Sequence, residues 1–154
     1  MAFRRGTRIE IKTPEQFAHM RQAGLVVAKT LQLIKEVTTA GMTTYDIDAI
    51  AREQLQHYGA DSSFHGYHGY PAVICVSVNE EVVHGIPGKR GLHEGDLVSV
   101  DFGAIVDGWN GDAAVTLPIG EVRPDVAALS RVTEASMWAG LAQARVGAHL
   151  TDIS

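Results

Sequence analysis

The spacing of hydrophobic and polar positions predicts two amphipathic helices, a strand-rich middle and a third helix. In residues 17–37 apolar side chains recur every three or four positions, which places them on one face of a helix. Residues 44–59 repeat that spacing. Residues 64–117 instead carry short apolar runs separated by turn-forming residues, and a third helical pattern extends from about 124 to 145.

Local signals define the ends of the first two helices. Thr13 is suited to the N-cap, Pro14 to the first helical position and Gln16 to the capping-box partner three residues later. Gly41 closes the first helical unit, and Gly59 is a suitable C-terminal stop for the second helix. These signals predict a helical hairpin ahead of the strands.

The clearest strand signal is a predicted β-hairpin. Leu97–Ile105 and Trp109–Leu117 are rich in branched and aromatic residues, and Asp107-Gly108 between them suits the positive φ angles of a tight turn. Asn110-Gly111 is a competing turn that would change the strand register. We favour Asp107-Gly108 because it leaves a strand on each side.

Two aspartates on this hairpin are candidate metal ligands. With the turn at Asp107-Gly108, position 101 faces position 114, so Asp112 lies diagonal to Asp101 on the same face, at roughly 7–8 Å or less. Asp101 interrupts an apolar strand, where a buried carboxylate needs a partner. One or two divalent cations fit that need. The alternative is that both aspartates are solvated turn residues, as is common near hairpins.

The segment before the hairpin supplies candidate pocket residues. Residues 64–71 place aromatic and imidazole side chains around two glycines, and such tyrosines can line a binding pocket. His84 ends the apolar run Val82-Val83, which predicts a strand end before a Gly-Ile-Pro turn, and from this junction it could reach a neighbouring site. The alternatives are ordinary packing for the aromatic residues and a bond to a nearby carbonyl for His84.

The end of the chain repeats a pattern from its beginning. Gly41, Asp46 and Ile47 recur in the same spacing as Gly147, Asp152 and Ile153, each set following a predicted helix. We therefore expect a first half at about 13–120 and the start of a second, two-fold-related half at about 124–154. Residues 1–12 form an N-terminal extension, and a site built between the halves is expected to be incomplete.

Composition limits the possible functions. The chain has 154 residues, 45% of them hydrophobic and 20% charged, which suits one soluble domain. A net charge of −5 argues against a general nucleic-acid or anionic-membrane surface, and the sequence predicts neither a membrane span nor a signal peptide. The basic cluster near the N-terminus reads as a solvated segment (Arg4, Arg5, Arg8 and Lys12). The single Cys75 cannot form an internal disulfide, which suits a cytoplasmic location. We interpret it as a small buried hydrophobic residue.

Five motifs together resemble the type I methionine aminopeptidases. They are Gly-Tyr-His-Gly-Tyr-Pro at 66–71, Cys-Val-Ser-Val-Asn-Glu at 75–80, Val-His-Gly-Ile-Pro at 83–87, Gly-Asp-Leu-Val-Ser-Val-Asp at 95–101 and Asp-Gly-Trp-Asn-Gly-Asp at 107–112. Their order and spacing match, and the resemblance extends from Thr13 onward. Each motif alone is weak, whereas the set is specific.

The resemblance implies an α+β pita-bread fold of the creatinase/aminopeptidase type, with two pseudo-symmetric halves enclosing two divalent metal ions. The chain would contain the first half and the start of the second. The implied activity removes the initiator methionine from nascent proteins, hence near the ribosome, with a preference for a small second residue. Co, Mn, Fe and Zn all suit such ligands.

The same resemblance implies roles for single residues. Asp101 would bind one metal ion, Asp112 would bridge two, and His84 would contact the scissile amide. The implied methionine pocket also contains Phe64, Tyr67, His68, Tyr70 and Cys75. Asn79 would belong to a loop around a monovalent cation.

Departures from the family pattern lead to further expectations. The family's remaining metal ligands, one His and two Glu, and a second substrate-binding His have no counterpart before Ser154, so we expect the 154-residue chain to be a truncated domain that is inactive alone. Phe64 stands where some members have a smaller residue, which would alter the pocket shape. Two alternatives remain: a non-catalytic peptide-binding module with the pita-bread fold, and a proline-directed metallopeptidase of that fold.

Overall fold

The computed structural model describes residues 10–154, in which helices pack against one face of a four-stranded antiparallel sheet. Arg4, Arg5 and Arg8 lie outside the described residues, as does most of the predicted extension. The elements in chain order are α1 (Pro14–Val37), α2 (Thr44–Tyr58), β1 (Asp61–Ser62), β2 (Ile74–Val78), β3 (Leu97–Val106), β4 (Trp109–Pro118) and α3 (Pro124–Leu141). Short 3-10 turns occur at Tyr67–Gly69 and Leu150–Asp152.

The predicted ends of the first two helices are confirmed. Thr13 caps α1 through its hydroxyl, which accepts from the Gln16 N–H at 3.3 Å, while the Gln16 side chain accepts from the Thr13 N–H at 2.8 Å. Thr43 and Asp46 form the corresponding capping box on α2. Gly59 ends α2 in the left-handed conformation at φ +61°, which glycine adopts without steric cost.

The hairpin register is the predicted one. Asp101 is paired with Ala114 and Gly103 with Asp112, so the turn is at Asp107-Gly108, where φ is +49° and +80°. Asn110 lies inside β4, which excludes Asn110-Gly111 as the turn. Because β4 follows one edge of β3 and the strands β1 and β2 share the other, β3 is the central strand of the sheet.

The two faces of β3 have opposite character. Val98, Val100, Phe102 and Ala104 are fully buried in the core that α1 and α2 cover. The alternate positions, including Asp101, point to the other face, as do their cross-strand partners on β2. The polar residues of the sheet therefore gather on the face opposite the helices, which we call the open face.

Two helices differ from the sequence pattern. Phe17 and Met20 of α1 are 59% and 36% exposed, and burial begins only at Ala23. The reason is the crossing of α1 over β4, where Gly111 lies against the backbone of Ala23 and Gly24. The third helix ends at Leu141 rather than Arg145, since turn hydrogen bonds three residues apart replace the helical pattern beyond it. Within residues 10–154, no helix combines the length and apolar character needed to cross a membrane.

The sequence repeat has a matching local geometry. Gly41 has φ +92° and Gly147 has φ +89°. In the first copy the Thr43 N–H donates to the Asp46 carboxylate at 2.7 Å, and in the second the His149 N–H donates to Asp152 at 2.9 Å. The agreement supports the interpretation that the motif at Gly147 repeats the one at Gly41, while the division into halves at about 13–120 and 124–154 stays a prediction.

Candidate metal centre

The candidate site is an open cavity of about 400 Å³ on the open face of the sheet. Its walls come from the segment after β1, from β2, from the loop that follows β2 and from the hairpin. The residues that line it are Ser63, Phe64, Tyr67, Tyr70, Cys75, His84, Asp101 and Asp112. Seven of these eight are residues that the sequence singled out, and Ser63 is the addition.

Both aspartates line this cavity, in the diagonal arrangement that the predicted register gives them. Asp101 is half-buried on the central strand, whereas Asp112 is exposed on β4. Burial raises the pKa of the Asp101 carboxyl, and the neighbouring Asp112 carboxylate raises it further by charge repulsion and by a hydrogen bond; the His84 charge acts in the opposite direction. Repulsion between paired carboxylates is the condition that a bound cation relieves.

A divalent cation fits the charge of this site. The cavity lining contains two carboxylates and one imidazole but neither lysine nor arginine among the described residues. Carboxylate oxygens suit hard or borderline cations. Residues 10–154 contain no group of three or more His, Cys, Asp and Glu side chains that could hold a metal ion. The described part of the chain therefore offers two ligands, which leaves most of the coordination open.

His84 lies in the cavity lining but not at the end of a strand. The prediction that it ends an apolar strand is wrong, because Val82 and Val83 are 87% and 66% exposed in the loop between β2 and β3. His84 itself has φ +58°, a left-handed conformation that is uncommon outside glycine. The imidazole is close enough to influence the Asp101 carboxyl electrostatically.

Aromatic side chains form one wall of the cavity. Phe64 and Tyr70 meet edge to face with ring centroids 6.5 Å apart. The Tyr70 hydroxyl lies 3.1 Å from both the Ile74 and Gly85 carbonyl oxygens. Burial, followed by the adjacent Cys75, raises the pKa of Tyr70 above its ordinary value. Burial also raises the pKa of the Cys75 thiol. The side chains of Tyr70 and Cys75 are therefore both neutral at physiological pH.

Two of the predicted site residues lie away from the cavity. His68 is exposed, has φ +48° and packs edge-on against Tyr67 in the 3-10 turn. Asn79 follows β2, and its amide donates to Asp96 at 2.7 Å and accepts from the Leu97 N–H at 2.9 Å. The Asn79 side chain thus joins the end of β2 to the start of β3.

Sequence reasoning did not identify Ser63 as a cavity residue. Its hydroxyl lies 3.1 Å from the Asn110 side-chain oxygen, so it links the segment after β1 to the strand that carries Asp112. A side chain at Gly103 would overlap Ser63 and Phe64. The predicted register already placed Gly103 opposite Asp112, and a glycine at that position could have indicated that another segment packs closely against β3. Nothing in the sequence, however, distinguishes Ser63 from other loop serines.

The chain is similar over most of its length to a family of metallopeptidases. Residues 18–154 match the family model of metallopeptidase family M24, and the chain belongs to this family. It is 49% identical over 147 residues to the methionine aminopeptidase of Clostridium acetobutylicum, an alignment that covers 95% of this chain and 59% of that protein.

Comparison with solved structures also finds methionine aminopeptidases. The crystal structure of methionine aminopeptidase from Thermotoga maritima matches with a TM-score of 0.83 and 42% identity, covering 86% of this chain and 54% of that one. Aminopeptidase P from E. coli matches with a TM-score of 0.74 at 22% identity, covering 84% of this chain and 29% of that one, which shows the fold alone. These similarities confirm the predicted α+β pita-bread fold. The chain spans a little under three fifths of the curated relatives it matches.

Proposed function

We propose that this chain forms part of a metal-dependent aminopeptidase that removes the N-terminal initiator methionine from nascent proteins with a small second residue. The observation that carries the proposal is the diagonal placement of Asp101 and Asp112 on neighbouring strands, where both line a cavity with an aromatic wall. Family membership and the similarity to proteins named methionine aminopeptidase support the same activity.

In this proposal Asp101 and Asp112 hold the divalent cations. When bound, such cations activate a water molecule as a nucleophile and polarise the scissile carbonyl. Asp101 is on the central strand, so its carboxylate is fixed by the most extensively paired backbone of the sheet. Asp112 is on the adjacent strand and would bridge two ions. Carboxylate and imidazole ligands suit Co, Mn, Fe and Zn, which are the candidate metals.

The remaining cavity residues would bind the substrate. Phe64, Tyr67, Tyr70 and Cys75 offer neutral, largely apolar surface that suits a methionine side chain. His84 would contact the scissile amide and stabilise or protonate the reacting group. His68, exposed in the 3-10 turn, would contact the substrate from outside the cavity lining, and Asn79 would belong to the loop around a monovalent cation.

Ligand number sets a condition on activity. Two carboxylates from the described residues leave a cation with weak, open coordination, whereas catalytic metal sites fix the ion with more protein ligands. We therefore propose that residues 1–154 alone do not turn over substrate and that further ligands complete the site.

The site of action would be the cytoplasm, close to the ribosome. The single cysteine of the chain supports the cytoplasmic part of this proposal, because a reducing compartment does not favour disulfides.

The test is metal-dependent release of methionine from a Met-Ala-Ser peptide. The purified chain is assayed with Mn²⁺, alone and with a polypeptide equivalent to the part of the Clostridium acetobutylicum relative beyond the aligned region. We expect no release by either component and release by the mixture, abolished by Asp101→Asn or Asp112→Asn and retained in Asp107→Asn, a matched change at the hairpin turn. Release by the chain alone would contradict the ligand argument, and no release by a folded mixture would contradict the proposed activity.

A second candidate is a peptide-binding module without turnover. The observation that favours it is the same limit of two acidic ligands beside an otherwise suitable pocket. Chelation separates the two candidates, because a module retains its Met-Ala-Ser peptide in EDTA while the enzyme loses turnover. A proline-directed peptidase is supported less, since aminopeptidase P shares the fold at only 22% identity.

A further inference from the structure

The loop that carries His84 is attached to the sheet at the next residue, Gly85. The Gly85 carbonyl oxygen accepts from the Val76 N–H at 2.9 Å. It also lies 3.1 Å from the Tyr70 hydroxyl, whose single proton it shares with the Ile74 carbonyl oxygen at the same distance. The Gly85 N–H donates to the Ser77 hydroxyl at 3.0 Å. We call these three hydrogen bonds the Gly85 anchor. Two of its members are side chains, and one of them, Ser77, is 4% exposed.

The anchor requires glycine at position 85. A Cβ atom built there would overlap the carbonyl oxygen of Val76 and lie 3.1 Å from the Ser77 Cα. The loop therefore approaches β2 more closely than a residue with a side chain would permit. This contact fixes the distance between the loop and the strand that carries Cys75.

His84 is held in an unfavourable backbone conformation directly beside this anchor. Its φ of +58° is strained for a residue with a Cβ atom, and such strain persists only where the surroundings determine the backbone on more than one side. The flanking Val82, Val83 and Ile86 are exposed and supply little packing. Within the segment 82–87, the hydrogen bonds of Gly85 are the ones that join the loop to β2 and to Tyr70.

We infer that Ser77 and the Tyr70 hydroxyl are positioning residues that hold His84 in its left-handed conformation at the cavity. The inference rests on the proposed function, because it gives the position of His84 a catalytic purpose. It assigns Ser77, which does not line the cavity, a role in turnover. It also gives Tyr70 a task beyond its apolar ring, since its hydroxyl is the second side-chain contact of the anchor.

The first test measures the loop directly and needs no turnover. NMR of the purified chain follows the backbone chemical shifts of His84 and the amide exchange of Gly85 in Ser77→Ala, Tyr70→Phe and the control Ser99→Ala. Ser99 is the cross-strand partner of Ser77, and its hydroxyl contacts Thr116 instead of the loop. We expect Gly85 exchange to accelerate about tenfold in Ser77→Ala, with His84 shifts moving in both anchor variants and staying unchanged in Ser99→Ala.

The second test asks whether the anchor acts through His84. In the reconstituted peptidase, Ser77→Ala should lower kcat about tenfold and change KM less than about twofold, because the loss is in the transition state. In a His84→Ala background the same substitution should change kcat less than about twofold, since there is no imidazole left to position. A purely structural role for Ser77 would lower activity equally in both backgrounds.

The outcomes separate this inference from the proposed function. Failure of the proposed function appears as an inactive wild-type mixture, and the NMR measurement still decides whether the anchor holds His84. Unchanged His84 shifts in folded Ser77→Ala, or equal kcat losses with and without His84, would overturn the inference. If Ser77→Ala fails to fold by circular dichroism, Tyr70→Phe alone must move the His84 shifts, and their constancy would overturn it as well.

Discussion

The Asp101 carboxyl is half-buried on β3, where burial and the adjacent Asp112 raise its pKa. In the unfolded chain the same group has the ordinary pKa near 3.8. Between the two pKa values the folded state binds more protons than the unfolded state, so the free energy of unfolding decreases as pH rises through this interval. The raised pKa of Asp101 therefore makes the metal-free protein less stable at neutral pH than it would be with an unshifted carboxyl.

We predict that Asp101→Asn raises the thermal midpoint of the metal-free chain at pH 7 by about 1–3 °C, since the amide keeps the shape and removes the charge. The gain should vanish at low pH, where the wild-type Asp101 carboxyl is protonated in both the folded and the unfolded state. Asp107→Asn removes an equal charge from the exposed turn and should give no gain. A lower midpoint for Asp101→Asn at pH 7, measured by calorimetry in EDTA, would show that the site is not repulsive.

At the scale of the elements, α2 is joined to the segment before β2 by a buried carboxylate. Asp48 is 2% exposed, accepts from the Val73 N–H at 2.8 Å and pairs with Arg52 at 2.7 Å. Arg52 in turn donates to the Pro71 carbonyl at 3.2 Å. These contacts fix the backbone between Tyr70 and Cys75, which is part of the cavity wall.

We predict that Asp48→Ala lowers the free energy of unfolding by about 3 kcal/mol, because it leaves a buried N–H and a guanidinium without their partner. Asp46→Ala on the same helix removes an exposed capping carboxylate and should cost about 1 kcal/mol. Urea denaturation of the two variants gives the comparison. Equal losses would mean that the Asp48 contacts contribute no more than a surface cap.

The sequence predicted the elements best where local chemistry determines them. Asp107-Gly108 has the residue types of a tight hairpin turn, and the turn fixed the register that places Asp112 diagonal to Asp101. The predicted cap at Thr13 is likewise local. The setting of His84 was not predictable from its neighbours, because the loop is held by Ser77 and Tyr70, whose hydroxyls reach it only in the folded sheet.

At the scale of the whole molecule, α3 is the least covered element. None of its residues is buried, and its exposed apolar side chains include Leu129, Val132 and Trp138 at 65%, 59% and 60%. Large apolar side chains left exposed to solvent in this number promote association in water. The spacing of apolar residues could indicate that α3 is a helix. Periodicity alone, however, cannot distinguish a helix whose apolar side chains are exposed from one whose side chains are packed.

We predict that the purified chain self-associates in a concentration-dependent way in sedimentation velocity experiments. The double substitution Leu129→Lys and Val132→Lys should reduce the association, since it removes apolar surface and adds repulsive charge. Ala135→Lys adds charge to the same exposed helix without removing a large apolar side chain and should reduce it less. A single monomeric species across the concentration range would contradict this prediction.

The assignment of the cavity as a metal centre depends on direct binding of a divalent cation by Asp101 and Asp112. The decisive measurement is titration of the purified chain with Mn²⁺, followed by electron paramagnetic resonance of the free ion, beside Asp101→Asn, Asp112→Asn and Asp107→Asn. We expect weak binding to the wild type and to Asp107→Asn, and its loss in both site variants, since a two-carboxylate site depends on each ligand. Equal binding by all four proteins, or none by the wild type, would contradict the metal centre.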